Sequence, residues 1–212
     1  MKKILIVDDH TIVRQGITRL LRELLEPPPD FDEASSGPQA IDMVSNHDYR
    51  LVLLDISLPG RDGLDVLRQL RQINPKIPVI ILSMHPDEQY AVRAFQAGAA
   101  GYVTKGCASD ELQGAIEKVL RGGRYVNAFQ AELLAEAVGE EQENAPLHKL
   151  LSDREYQFVS MMVSGMTMTE IARELSLSTK TISTYRTRVL EKLHLRTNAD
   201  IISYWITSNL SK

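Results

Sequence analysis

Three carboxylates, a hydroxyl and an ammonium each follow a stretch of this chain that reads as a strand. Asp8-Asp9 comes after residues 3–7, Asp55 after 51–54, Ser83 after 77–82 and Lys105 after 101–104. Gathered at one point, these groups would handle a phosphoryl group. Three acids alone would repel one another and shift their pKa values upward, and a bound cation is the simplest resolution. Mg2+ prefers hard oxygen ligands in octahedral geometry and keeps several waters. It would neutralise the acids and bridge to phosphoryl oxygens, leaving Asp55 to attack in line as a covalent nucleophile. Lys105 would supply a compact positive charge, and Ser83 one donated hydrogen bond. Taken singly, each residue has a plainer reading. An acidic pair often caps a helix, a loop lysine is usually solvated, and a lone serine usually starts the next helix. Their joint placement at strand ends outweighs those readings.

The elements that must position them follow from periodicity. Residues 51–54 are continuously aliphatic, as a strand buried on both faces of a parallel sheet requires. Residues 3–7 and 77–82 read the same way, and shorter strands are expected near 31–34 and 101–104. Helical spacing predicts helices over 11–26, around 40–44, and over 63–72, 87–97 and 109–121. The first is stopped by Pro27-Pro28-Pro29, the last by Gly122-Gly123. Five alternations of strand and helix argue for an α/β, doubly wound, five-stranded parallel sheet. In such sheets ligands bind at the carboxyl edge, where strand order reverses.

The chain has 212 residues, 43% hydrophobic and 25% charged, which suits one large or two small globular domains. No apolar run approaches the ~20 residues that span a bilayer, and Met1-Lys2-Lys3 leads into a strand rather than a signal core. A cytoplasmic protein without a membrane partner is expected. The single Cys107 excludes an internal disulfide and any multi-cysteine zinc site; an inert thiol is its simplest reading. The net charge of −4 is unevenly spread. Residues 1–148 carry 15 Lys and Arg against 22 Asp and Glu, and residues 149–212 carry 9 against 6. An acidic front and a basic back imply two domains with different partners.

Together and in order, Val-Asp-Asp-His (7–10), Leu-Leu-Asp (53–55) with Pro59-Gly60 and Asp62-Gly63, Ile-Leu-Ser (81–83) and Gly-Ala-Ala-Gly-Tyr-Val-Thr-Lys (98–105) resemble the receiver domain of bacterial two-component response regulators. The resemblance covers about the first 124 residues. It implies that a partner sensor histidine kinase phosphorylates Asp55. It also implies that Asp9, Asp55 and the backbone carbonyl of Ser57 ligate Mg2+, with Asp8 acting mostly through water. Ser83 and Tyr102 would then be the switch pair, the hydroxyl swinging to the phosphoryl group and the ring turning inward behind it. Two positions depart from the pattern. Gly106 stands where many receivers have proline, so a cis peptide after Lys105 is not expected. Met84 replaces a small residue and, with Ser57 and His85, is expected to restrict water around the phosphoryl group.

Residues 128–138 are good helix formers and run into the acidic stretch 139–146, which reads as exposed linker. The boundaries expected are 1–124 for the first domain, 125–147 for the linker and 148–212 for a small all-α domain. That domain opens with a capping box at Ser152 and Glu155, repeated at Thr167 and Glu170. Two short helices and a third over 179–193 make a helix-turn-helix candidate. At 100° per residue Ile182, Val189 and Leu193 form its apolar stripe. Lys180, Thr184 and Thr187 lie opposite, Ser183 and Arg188 at the sides, with Lys192 adding charge. Short hydroxyls between cations suit a helix in the major groove, the cations holding phosphates and the hydroxyls reaching base edges.

Leu-Ser-Asp-Arg-Glu (151–155), Gly165, Glu-Ile-Ala-Arg-Glu-Leu (170–175), Leu-Ser-Thr-Lys-Thr-Ile-Ser (177–183) and Glu-Lys-Leu (191–193) resemble the LuxR-type helix-turn-helix domain. The whole chain thus resembles a NarL/FixJ-subfamily response regulator. The resemblance implies a promoter-binding transcriptional regulator controlled by phosphorylation, not an enzyme with a turned-over substrate, although the receiver can autodephosphorylate. It implies a homodimer when phosphorylated or bound to DNA, paired partly through the last helix with Ile201, Ile202, Trp205 and Ile206; packing of these residues on their own domain alone is the equal alternative. Phosphorylation is expected to expose the third helix or to promote that dimerisation. Ser183, Tyr185 and Arg186 depart from the residues frequent in relatives, so the operator does not transfer. An aspartyl-phosphate hydrolase is the competing class, but Asp55-Ile56-Ser57 lacks the second carboxylate of its Asp-x-Asp signature. Constitutive DNA binding, with the receiver as a dimerisation module only, is the third.

Overall fold

The computed structural model describes residues 3–59, 62–84, 88–106, 109–139 and 147–208. Gly60, His85, Cys107 and the linker residues 140–146 lie outside them. The first domain alternates strand and helix: β1 (Lys3–Val7), α1 (Thr11–Leu24), β2 (Phe31–Ala34), α2 (Gly37–Asn46), β3 (Tyr49–Asp55), α3 (Gly63–Ile73), β4 (Val79–Ser83), α4 (Glu88–Gln96), β5 (Gly101–Thr104) and α5 (Ser109–Leu120). The five strands form one parallel sheet in the order β2-β1-β3-β4-β5. Alternate strand residues serve opposite faces. Leu5, Val7, Val52, Leu54, Val79 and Ile81 pack beneath α2, α3 and α4. Ile4, Ile6, Leu51, Leu53, Ile80 and Leu82 pack against α1 and α5. Both faces are covered, which is why these strands carry unbroken aliphatic runs instead of a period of two.

Element ends differ from the periodicity where proline intervenes. α1 stops at Leu24, and Leu25 is already extended, one residue ahead of Glu26, which Pro27 pushes out of the helical region. β4 begins after Pro78, whose carbonyl accepts from Val52 N–H but which has no N–H of its own for the ladder. The cis peptide among the described residues is Glu26–Pro27, not the bond after Lys105. Tyr125, expected in the linker, instead extends the sheet edge, donating to Ala100 O at 2.8 Å and bridging Gly101. The helix α6 (Ala128–Gly139) packs along α4, and Gln130 Nε2 donates to Tyr102 O at 3.3 Å.

The second domain has a 3-10 turn at Leu147–Leu150, then α7 (Asp153–Val163), α8 (Met168–Glu174), α9 (Thr179–Leu193) and α10 (Asn198–Thr207). Both expected capping boxes form, and a third pairs Thr197 with Asp200. The box sought in the sequence ends in Glu or Gln, which hid the one ending in Asp. Phe158, Ile171, Leu175, Ile182, Val189, Leu193, Ile201 and Trp205 are buried among themselves. No described helix is long and apolar enough to cross a membrane.

The two domains touch through α3, α4 and α7. Arg68 Nη2 lies 2.7 Å from Asp153 Oδ2. Arg93 donates to Leu151 O at 2.8 Å and His148 O at 3.0 Å, and Tyr90 Oη to Asp153 O at 3.0 Å.

Candidate phosphoryl-acceptor site and nucleic-acid interface

β1 and β3 are neighbours, yet β2 lies on the far side of β1, so strand order reverses between them. Val7 is in register with Leu54, and the residues that follow, Asp8 and Asp55, therefore emerge side by side at the switch point. Lys105, one residue beyond β5, reaches across. Its Nζ is 2.6 Å from Asp8 Oδ2 and 2.9 Å from Asp55 Oδ2. The backbone N–H of Lys105 donates to Ser83 O at 2.7 Å, which fixes the lysine to the end of β4. Asp8 is fully buried and Asp55 is 1% exposed. Burial pushes the Asp55 carboxyl above its ordinary pKa, against the pull of Lys105, and the Asp8 charge adds to the rise. Burial alone would lower Lys105, but Asp55 and Asp8 outweigh it and hold the ammonium above its usual range.

Asp8, Asp9, His10 and Asp55 each offer a ligand atom, all within 4.8 Å of one another. Opposite ligands of an octahedral Mg2+ stand ~4 Å apart, so this is a set of the right compactness. Asp8, Asp9 and Asp55 are hard oxygen donors, of which Asp8 and Asp55 share the ammonium of Lys105, and the donor chemistry fits a hard divalent cation. His10 was not anticipated as part of this cluster, although it closes the Val-Asp-Asp-His motif. Its Nδ1 is 2.9 Å from Asp9 Oδ1, and its backbone N–H donates to Asp8 Oδ1 at 2.8 Å.

The loop after β3 is held tightly. Ser57 N–H donates to Asp55 Oδ1 at 3.1 Å. Gly63 N–H donates to Ile56 O, and a Cβ at Gly63 would stand 2.6 Å from Ile56 Cα and 2.8 Å from Asp55 O. Only glycine allows α3 to start this close to the acceptor. Asp62 caps α3, its Oδ1 accepting from Leu64 N at 2.9 Å. Its Oδ2 is buried, with Arg154 Nε at 3.8 Å. Burial pushes this carboxyl from 3.8 up to about 6, partly offset by Arg154. A raised value means that the folded state favours the protonated form. The contribution is complete below pH 3.8 and is lost as pH rises through about 6. Asp62→Asn keeps the cap without the charge. It is expected to match wild type near pH 3.5 and to exceed it by ~1–3 kcal/mol at pH 8, as chemical denaturation at both pH values will show.

Ser83 is buried at the end of β4. Tyr102 is also buried, 2% exposed. α6 reaches this residue, Gln130 Nε2 donating to the Tyr102 carbonyl. Met84 is 64% exposed. It stands at the rim and does not close the crevice, which leaves the expected water exclusion to buried neighbours. His85, named with it, lies outside the described residues.

On the second domain, Lys180, Ser183, Thr184, Thr187 and Arg188 share the exposed side of α9. The hydroxyls of Ser183, Thr184 and Thr187 donate to the carbonyls four residues earlier, at 2.9–3.1 Å. With the proton spent on the helix, the outward lone pairs are acceptors, suited to the amino groups of adenine or cytosine in the major groove. Lys192 does not join this face. Its Nζ is 2.6 Å from Glu155 Oε2 of α7, an acid only 3% exposed at its side chain, and that pairing holds α9 against α7. Arg186, unusual in its apolar position, donates to Asn198 Oδ1 at 2.6 Å and ties α9 to α10. Ile201 and Trp205 pack inside their own domain, whereas Ile206 is exposed. Of the two expected routes, exposure of the third helix or dimerisation, the first has little to act on here, since the receiver docks on α7 and the outward face of α9 is exposed.

Comparison with known proteins finds the same two domains. The family described as Response regulator receiver domain matches residues 4–117, and Bacterial regulatory proteins, luxR family, matches 149–205. The response regulator GacA of Pseudomonas syringae pv. syringae is 36% identical over 201 residues, which cover 95% of this chain and 94% of that one. The response regulator UvrY of Escherichia coli is 34% identical, with coverage of 95% and 92%. Among solved structures, RcsB from Salmonella enterica serovar Typhimurium, bound to promoter rprA in the presence of the phosphomimetic BeF3-, shares the fold with a TM-score of 0.63. It covers 98% of this chain and 100% of its own at 24% identity.

Proposed function

The chain belongs to the two-component response regulators of the NarL/FixJ type, with a receiver domain and a LuxR-type DNA-binding domain, and on that premise we propose that a sensor histidine kinase phosphorylates it on Asp55. Members of this family regulate transcription, and so does this protein. The observation that carries the reading of the site is the meeting of Asp8, Asp9 and Asp55 with Lys105 at the switch point of the sheet.

Asp8, Asp9 and Asp55, with the carbonyl of Ser57, would hold Mg2+. The ion supplies positive charge to the phosphoryl oxygens and to the crowded acids. An oxygen of Asp55 attacks phosphorus as the bond from phosphorus to the kinase imidazole breaks, and the imidazole keeps that electron pair. Lys105 moves from its pairing with Asp8 and Asp55 to the new acyl phosphate. Ser83 donates its hydroxyl to a phosphoryl oxygen, and Tyr102 repacks behind it. The product brings about −1.5 to −2 charge and three acceptor oxygens to the crevice. A few kcal/mol of preference for one of two arrangements inverts their populations.

The output is binding to promoter double-stranded DNA in the cytoplasm through Lys180, Ser183, Thr184, Thr187 and Arg188 of α9. Because the outward face of α9 is open already, phosphorylation has no cover to remove from it. The gain is assigned to pairing of two copies on half-sites about one helical turn or more apart. The domain boundaries that go with this reading are 1–124 and 148–212, with the intervening residues as linker.

Footprinting of a selected operator with wild type and Asp55→Ala, with and without a small phosphodonor, tests the reading. Protection that strengthens only for phosphorylated wild type is expected, and equal footprints would instead favour constitutive binding. Within α9, Thr184→Ala is expected to relax preference at one base step. Arg188→Ala is expected to weaken all sequences alike and to lower the salt slope by ~1. A gel-shift series across operators and salt concentrations distinguishes the two roles.

A further inference from the structure

We propose that the DNA-binding domain supplies a positioning residue to the phosphoryl-acceptor crevice, namely Gln157, oriented by Arg154, and that this contact slows phosphorylation of Asp55. The inference rests on Asp55 being the acceptor. Gln157 is 3% exposed although it is a polar residue on α7. Its Oε1 accepts from Arg154 Nη1 at 2.9 Å. That orientation leaves Nε2 to donate to Ser57 Oγ at 3.4 Å. Arg154 also spans the gap, its Nη2 donating to Leu58 O at 3.3 Å while its Nε faces Asp62. Two side chains of one helical turn thus hold residues 57, 58 and 62, the loop that leaves the acceptor strand. Ser57 N–H in turn donates to Asp55 Oδ1, so a single residue separates the second domain from the nucleophile.

The direction of the effect follows from burial. Asp55 is 1% exposed and Lys105 is 8% exposed at its side chain, so no donor reaches the carboxylate until the loop or the lysine moves. The loop is pinned by α7, and α7 is pinned by the rest of the dock. Asp153 Oδ2 is held by Arg68, and Arg93 reaches Asp153 Oδ1 and the carbonyls of Leu151 and His148. The Arg93 guanidinium also lies 4.3 Å from the Tyr156 ring centroid. Docking and loop opening are therefore linked equilibria. Whatever favours the open, acylated loop weakens the dock, and loosening the dock exposes the acceptor by the same factor.

The test uses the full chain, acetyl phosphate and Mg2+, with initial phosphorylation rates read on phosphate-affinity gels. Gln157→Ala removes the tether to the loop. Arg93→Ala weakens the dock at a distance from it, so that the two variants reach the same end by different routes. Both are expected to be labelled about fivefold faster than wild type, the equivalent of losing one ordinary hydrogen bond. Trp205, the only tryptophan of the chain, has its ring 4.8 Å from Tyr156 and reports the dock independently. Its emission is expected to change when wild type is phosphorylated, to stay fixed in Asp55→Asn, and to be shifted from the start in Arg93→Ala. Wild-type or slower labelling of both variants, with wild type itself labelled, overturns the role of Gln157 and leaves Asp55 as acceptor. Failure to label wild type at all overturns the acceptor assignment instead.

Discussion

Replacing Asp55 by Asn is expected to abolish phosphorylation by acetyl phosphate and Mg2+ altogether, with the fold retained. The amide has no anionic oxygen to attack phosphorus. It nevertheless fills the same space, and its Oδ1 accepts from Ser57 N–H as the carboxylate does. Asp8 keeps its partner Lys105 at 2.6 Å. Burial already penalises the Asp55 charge, so its loss is expected to leave the melting transition unchanged or slightly raised, within ~1 kcal/mol. Phosphate-affinity electrophoresis beside a thermal melt reads both halves of the outcome. A labelled variant would move the acceptor to another residue.

Lys105→Met is the second large effect. Methionine matches the length of the lysine stem and removes the ammonium that pairs with both Asp8 and Asp55. Two buried carboxylates would then face each other without compensation. Breaking a buried pair by removing one partner typically costs ~3–5 kcal/mol, and that deficit is expected in urea melts at pH 7. The sign with pH is fixed by the raised pKa of Lys105. The pairing contributes fully below its ordinary value of 10.5 and is lost as pH rises through its higher value in the folded protein. Wild type and variant should therefore converge only in strong alkali. Added Mg2+ is expected to restore part of the deficit in Lys105→Met, by ~2.7 kcal/mol at a concentration one hundred times its dissociation constant. A deficit unaffected by Mg2+ would count against the acids as a metal site.

The crevice was legible because a parallel sheet leaves a clear trace. Its inner strands β1, β3 and β4 carry unbroken aliphatic runs, so the first polar residue after each marks the carboxyl edge, and Asp8, Asp55 and Ser83 could be gathered without coordinates, with Lys105 following the short strand 101–104. The helix-turn-helix domain was legible through its caps, since Ser152 with Glu155 and Thr167 with Glu170 are local pairs. What joins the two domains left no such trace. Arg93 and Asp153 are 60 residues apart, and Ser57 and Gln157 are 100 apart. Neither pair has a period or a motif. Lys192 had a signal that went unused. At 100° per residue it lies only about 80° from Ile182, nearer the apolar stripe than the outward face, where a long side chain finds Glu155. The contact of Gln130 with the Tyr102 carbonyl comes from α6, a helix that composition could assign only to a linker.

The open face of α9 has a kinetic consequence. A cationic helix that nothing covers is drawn to any duplex through release of condensed counterions, whatever the sequence. The resting protein would then already slide and hop along the chromosome before a stimulus arrives. The delay between stimulus and promoter occupancy would be set by the encounter of two such travelling molecules, and it should shorten with their number per cell.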